Sequence, residues 1–553
     1  MATAWASLAF AADGPPPGLD LVLAPHGDDY VGVTMTLDDP KLSAGAGLVK
    51  LPLILVGIPS ARYDGDALTA RDDKGPLPLI QTEQPPTPQG VYRQWSTTRA
   101  TVGDVVVSYK APPRPVTAST NNGPLFDLRK ESGGFMGAGV GFLATPMGEG
   151  PYSVNLKWDL ADAPAGSRGV WTHGEGDVHV VLPAEALAFS YYGVGPLQSY
   201  PAKSDGHFGL FWLSEPPFDA AGLGGKIQSL YAVTSDFWGE KDASYRVFMR
   251  QNPYAGRGGS ALGPSFMFGY NAESKPTADS LQGLLAHEMA HNWPSMEGEH
   301  GDTAWYSEGT AEFYSLLLAH RGGLLTTDQY LEEINERASG YYTNPYRGLT
   351  NAAAARIFWS DPTAQTVPYG RGFMYLVQTD GAIRAASDGK HSLDDVVREL
   401  RRRQNAGEPY GIAQWLELVG KALGADRAKA DYDAMAAGGL LVASPERFAP
   451  CFDRVKQTER PFVLGFARAS LSKGKISDLE AGSAAAKAGV KDGDEVLSSS
   501  PIDPVRKDET VPMLLTLKRD GTELTISYLP RGEPVESYRW TRRAGVADAA
   551  CKF

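Results

Sequence analysis

Cysteine is nearly absent from this chain: only Cys451 and Cys551 occur in 553 residues, enough for a single intramolecular bridge. Positive charge is also in short supply. Lys and Arg number 52 against 65 Asp and Glu, for a net charge of -13. That balance excludes the basic, phosphate-tracking surface of a nucleic-acid binder. The basic runs RKESGG and VRELRRRQN are short, and the second reads as the polar face of a helix. No apolar run is long enough to span a membrane, because LVKLPLILVGIP is broken by Lys50 and Pro52. Internal repeats and low-complexity tracts are missing as well.

What remains is ordinary globular composition, with 42% apolar and 21% charged residues. A chain of 553 residues exceeds one hydrophobic core and predicts two to four domains. The start, MATAWASLAFAADG, ends its apolar part in a segment like a signal-peptidase site after Ala11, but has no basic residues before it. Residues 1–18 are therefore expected to be a signal remnant or a disordered start. A periplasmic or secreted location is expected, with the cytoplasm as the alternative.

Periodicity organises the rest. Between residues 19 and 200 the short alternating runs VGVTMTL, DVVVSY, YSVNLKW and DVHVVL read as strands of a β-sandwich-like domain. The pattern turns helical at FDAAGLGGKIQSLYAVTSDFWG, returns to a strand at YRVFMRQ, and passes through the Gly-rich YAGRGGSALGPSFMFGYN. LDDVVRELRRRQ and IAQWLELVGKAL then read as amphipathic helices.

The chemistry concentrates in LLAHEMAHNW. A helix over Leu281 to Trp293 puts His287 and His291 one turn apart on one face, where both imidazoles can reach one ion. Glu288 beside them can reach a water on that ion. A bare HExxH also suits a helix whose histidines only hydrogen-bond their neighbours. Seventeen residues beyond His291, in TAWYSEGTAEFYSLLLAHRGGL, Glu308 supplies the third ligand of a zinc site that leaves a fourth position for water. Glu312, one turn further, is placed to orient a ligand histidine; a surface helix carboxylate is its plainer reading.

HEMAHNW followed by WYSEGTAEFYSLLLAHRGGLLTTDQYLEEIN resembles the glycyl aminopeptidase family of gluzincin metallopeptidases, relatives of aminopeptidase N. The resemblance is close over about residues 280–385 and weaker over about 450–531. It implies a multidomain α+β fold: an N-terminal β-sandwich-like domain (19–200), a mainly helical, thermolysin-like catalytic domain (201–448) and a PDZ-like β domain (449–553). It also implies one Zn²⁺ per chain on His287, His291 and Glu308, with Glu288 as general base. PYGRGFMYLVQTDGAIR is similar to the family's tyrosine-bearing segment and places Tyr369 as oxyanion donor, with Tyr375 as the neighbouring rival. Tyr341 and Tyr342 read as packing aromatics.

The PDZ likeness rests on FVLGFARASLSKGKISDLEAGSAAAKAGVKDGDEVL, with its Leu464-Gly465-Phe466 loop, and on a hairpin turning at Asp520-Gly521. It implies a loop for a peptide carboxylate and a free strand edge for a peptide backbone; a cap that only packs on its neighbour is the alternative. Relatives carry a glutamate in a GG-x-E-type segment that holds the substrate's amino group. Here GGSALGPSFMF has no acid. Glu273 is the candidate substitute, and the strand at Gly263 is a candidate backbone partner for substrate. The expected activity is peptide hydrolysis, as an aminopeptidase for N-terminal Gly or Ala. A zinc endopeptidase or a non-catalytic PDZ peptide-binding protein are the alternatives. Cys451 and Cys551 bracket the PDZ-like segment, and an oxidising compartment would bridge them.

Overall fold

The structure, a computed structural model, describes residues 15–553 except 28, 88–89, 121–122, 149, 205, 242–243, 255–257, 273–276 and 359–360. The chain forms two compact units. One comprises Met1–Glu297, Thr310–Leu324 and Val397–Gln414; the other comprises Gly298–Gly309, Leu325–Val396 and Trp415–Phe553. Among the described residues no helix is long and apolar enough to cross a membrane.

In the first unit the alternating segments form strands. Tyr30–Leu37 buries every second residue, Val31, Val33, Met35 and Leu37, so one face of its seven-stranded sheet lies in a core and the other does not. Gly18–His26 pairs antiparallel with it and parallel with Pro151–Trp158. Two five-stranded sheets complete this β region. A further five-stranded sheet runs Gln198–Tyr200, Phe208–Trp212, Tyr245–Gln251, Ser265–Tyr270, Gly258–Ala261. Its three middle strands are parallel. The first two are joined by the helix Ala220–Trp238, because parallel neighbours need a crossover. Asp219 caps that helix by accepting from Gly222 N–H, and Gly239 ends it with φ 75°. Leu125, Met136 and Tyr191 share one core with Phe211, Phe248 and Met267, so the β region and this sheet pack as one body.

The basic run in Leu393–Asn405 is spent locally, as its helical reading requires. Arg401 pairs with Glu240, Arg402 and Arg403 pair with Glu399, and Arg398 lies 4.2 Å above the Phe237 ring.

In the second unit, helix Thr327–Tyr342 packs on Val367–Ala386, which in turn crosses the first half of the helix His300–Arg321. Two glycines permit the closest approach. A Cβ on Gly372 would lie 1.9 Å from the Trp305 carbonyl and 2.7 Å from Gly309 Cα. Trp305, Tyr375 and Trp415 close over this crossing with ring centroids 5.2–5.9 Å apart. Tyr341 and Tyr342 are buried and hydrogen-bonded to the backbone of Gly439 and Leu441, which makes them packing residues.

The C-terminal segment is a two-stranded ribbon, Phe452–Glu459 with Val535–Arg542, and a three-stranded sheet, Glu495–Ser499, Met513–Arg519 and Thr522–Tyr528. The hairpin turns where expected: Asp520 (φ 50°) and Gly521 (φ 82°) both take left-handed backbone. After Leu464-Gly465-Phe466 the chain forms the helical turn Ser470–Lys473, ended by Gly474 at φ 71°. ARASLSKG favours that turn because its helix formers end in a C-cap glycine.

Cys451 and Cys551 form a disulfide that closes a separation of 100 residues. It holds the buried terminal Phe553 against Tyr330, Phe448 and Phe452. Protein isolated under thiol-blocking conditions should therefore carry no alkylated cysteine. Replacing both cysteines by alanine should lower the melting temperature of this segment, since a loop of that length contributes at most about 4–5 kcal/mol in the chain-entropy account. Two alkylated cysteines, or an unchanged melt, would contradict this.

Candidate metal centre

The helix that carries the motif spans Ala278–Ala290. Leu281, Leu285 and Met289, one turn apart, bury a single stripe and fix its rotation. That rotation puts Glu288 at the flank of the stripe and His287 on the opposite face of the helix. The helix ends three residues earlier than expected, so His291 sits in the turn that follows. Tight bonds from Asn292 N–H to Met289 O and from Trp293 N–H to Ala290 O form that turn. The Asn292 side chain donates to Met289 O at 2.8 Å and to the Tyr245 hydroxyl at 3.2 Å, which ties the helix end to the sheet.

Three side chains converge: His287, His291 and Glu308 are all buried, and one ligand atom from each lies within 4.8 Å of the others. The two Nε2 atoms are 3.1 Å apart, with the rings nearly perpendicular at 85°. Two imidazole nitrogens bound tetrahedrally to one zinc at about 2.05 Å stand about 3.3 Å apart, so this pair fits such an ion. A carboxylate completes the nitrogen and oxygen donor set of a catalytic zinc rather than a structural one.

Glu312 supplies the orientation. Its Oε1 lies 3.1 Å from His287 Nδ1, and both side chains are largely buried. A carboxylate there keeps the proton on Nδ1, which leaves the Nε2 lone pair for the metal. The spacing Glu308 to Glu312, one helical turn, lets one helix provide both a ligand and the brace of another.

Glu288 is partly exposed beside this cluster and meets the sheet's outer strand, Gly258–Ala261. A Cβ on Gly259 would stand 3.1 Å from Glu288 Cγ, so a side chain at 259 would crowd the carboxylate. The strand is held in place behind that contact. The buried Tyr191 hydroxyl donates to Ser260 O at 2.8 Å, and Ser260 Oγ accepts from Leu125 N–H at 3.1 Å. Burial, with the Glu288 charge adding to it, holds the Tyr191 hydroxyl well above the ordinary tyrosine range and keeps it a donor. Gly259, Ser260 and Tyr191 were not singled out in the sequence; the register of a sheet decides their roles.

The other candidates are placed as follows. Gly263 (φ 56°) lies in the turn between Gly258–Ala261 and Ser265–Tyr270, four residues from the glycine that faces Glu288. Glu273 lies outside the described residues. Tyr375 is fully buried and accepts from Trp415 Nε1 at 3.2 Å, which commits it to packing. Tyr369 is partly exposed on the first turn of Val367–Ala386. It sits one turn before Gly372, on the same side of the helix. The Gly372–Gly309 contact brings that side against the turn of His300–Arg321 that carries Glu308.

No protein-family profile and no curated protein matches this sequence. Among solved structures the chain is similar to an aminopeptidase N family protein from Idiomarina loihiensis, with 15% identity and a TM-score of 0.69, over 97% of this chain and 99% of that one. It is also similar to a Deinococcus radiodurans M1 zinc metallopeptidase bound to a Tyr-Ser-Ala substrate, at 17% identity and TM-score 0.48, over 78% of this chain and 96% of that one. A third likeness, to yeast LTA4 hydrolase, has 13% identity and TM-score 0.47, over 78% of this chain and 69% of that one. The first likeness shows a shared fold along nearly the whole chain.

If Glu312 braces His287, Glu312→Ala should weaken zinc affinity by roughly ten- to a hundredfold while the fold is kept. Competition against a chelator measures this, with circular dichroism as the control. Unchanged affinity would mean that the carboxylate is only a neighbour.

Proposed function

We propose that this chain is a zinc metallopeptidase, and within that class an aminopeptidase for peptides beginning with Gly or Ala. The observation that carries the reading is the convergence of His287, His291 and Glu308 with Glu288 beside them. The shared fold with an aminopeptidase N family protein supports it. His287, His291 and Glu308 would hold the ion, which when bound lowers the pKa of a water and polarises the substrate carbonyl.

The protein's own groups do the rest. Glu288 takes the proton from the attacking water and returns it to the departing amine. Gly259 leaves room for that carboxylate beside the strand. The strand Gly258–Ala261 ends its sheet, so its outer edge is available to an extended peptide backbone. Tyr369 donates a hydrogen bond to the oxygen that gains charge in the tetrahedral intermediate. Export to an oxidising compartment agrees with the Cys451–Cys551 bridge.

Recognition of a free amino group needs a carboxylate partner. Gly258–Ala261 carries none, and this favours the second reading, an endopeptidase on the same scaffold. Glu273 remains our candidate for the partner, and the substrate's end decides between the two.

Glu288→Gln should retain zinc yet lose turnover by at least about a hundredfold. Metal loss in that variant, with metal kept in Glu308→Ala, would reverse their roles. Tyr369→Phe should lower kcat by roughly a hundredfold with KM little changed. A near-normal kcat would remove Tyr369 from the oxyanion site. Glycyl and alanyl chromogenic amides should be cleaved faster than their N-acetylated forms. Faster cleavage of the acetylated forms, or internal cuts in longer peptides, would establish the endopeptidase.

A further inference from the structure

The second unit contains a cavity of about 510 Å³ that none of the proposed catalytic residues lines. One wall is the face of helix Thr327–Tyr342 that carries Glu332, Glu336 and Ser339; the other is the C-terminal β segment. Pockets of roughly 300–1,000 Å³ enclose small organic ligands.

The lining is charged on both sides of neutrality. Five cations, Arg460, Arg506, Lys507, Arg531 and Arg539, face four carboxylates, Glu332, Glu336, Glu459 and Glu509. Some of these neutralise each other. Glu336 lies 3.6 Å from Arg506 and 3.9 Å from Lys507, Glu459 accepts from Ser339 and Ser537, and Glu509 accepts from Arg460 N–H. Arg531 is different. It is 6% exposed, and its guanidinium donates only to backbone carbonyls, those of Val505, Arg506 and Asp508. Its Nε meets no protein acceptor. Carbonyls satisfy N–H groups without cancelling the charge, and burial pulls this arginine below its ordinary pKa, with Arg460 adding to burial, against the opposing charges of Glu509, Asp508 and Glu459. A buried cation in this state is stabilised by an anion arriving from outside.

The lining carries both signs, so a dianion would complement only part of it. A molecule with one carboxylate and one ammonium complements both signs. We propose that this cavity is a second ligand site that binds a short zwitterionic peptide, its carboxylate at Arg531 and Arg460 and its ammonium at Glu332. Arg460 and Glu332 suit those roles because, among the described residues, neither makes an ion pair with another side chain, although Arg460 Nε donates to Gly532 O.

The test is calorimetric titration of the dipeptide Ala-Ala into the full-length chain carrying His287→Ala, which weakens metal-dependent binding at the catalytic site and leaves the cavity variants to identify binding at the cavity. Saturable binding is expected. N-acetyl-Ala-Ala and Ala-Ala amide, each missing one charge, should bind about tenfold more weakly or worse, and so should Ala-Ala to Arg460→Gln or Glu332→Gln. Inorganic phosphate should not compete. The two variants alter exposed side chains, so they keep the test decisive even where substitution of the buried Arg531 prevents folding. No saturable binding, unchanged binding in both variants, or displacement by phosphate at equal concentration would overturn the proposal. The readout is binding alone, so neither result bears on the peptidase reading.

Discussion

The metal centre depends on the orientation of one imidazole. His287 can bind an ion through Nε2 only if its proton stays on Nδ1, and the nearby Glu312 carboxylate keeps it there. The same helix presents Glu308, so one rigid element sets both the third ligand and the tautomer of the first. Disturbing that helix would cost both at once. The construction explains why the three buried donors converge.

Close backbone approach is the second constraint. The contact of Gly309 with Gly372 draws the first turn of Val367–Ala386 toward the Glu308 turn, and a methyl group at either position would force the helices apart. Gly259 does the corresponding job for the outer strand against Glu288. In both places the absence of a side chain sets where a neighbouring functional group can stand. The packed aromatics Trp305, Tyr375 and Trp415 then hold the helices at that distance.

Much of this was legible in the sequence, and the reasons are local. The spacings His287–His291 and Glu308–Glu312 each follow from helical periodicity, and joining the two pairs rested on the donor set of a catalytic zinc and on the family resemblance. Alternation marked strands such as Tyr30–Leu37, and Asp520-Gly521 marked a hairpin. What escaped depends on distant pairing or on small local competitions. Gly259 and Tyr191 are 68 residues apart, and only the sheet register brings the hydroxyl to the neighbouring Ser260. The core shared by Met136 and Phe248 cannot be inferred from either strand's own pattern. The helical turn Ser470–Lys473 is set by local helix propensity and its closing glycine.

The central claim is that two imidazoles and one carboxylate enclose a zinc ion. X-ray absorption at the zinc edge of the purified protein tests it most directly. The account predicts a four-coordinate ion with two imidazole nitrogens at about 2.0–2.1 Å, the remaining ligands oxygen, and no sulfur. A six-coordinate, all-oxygen shell, or one lacking the signature of imidazole, would contradict it.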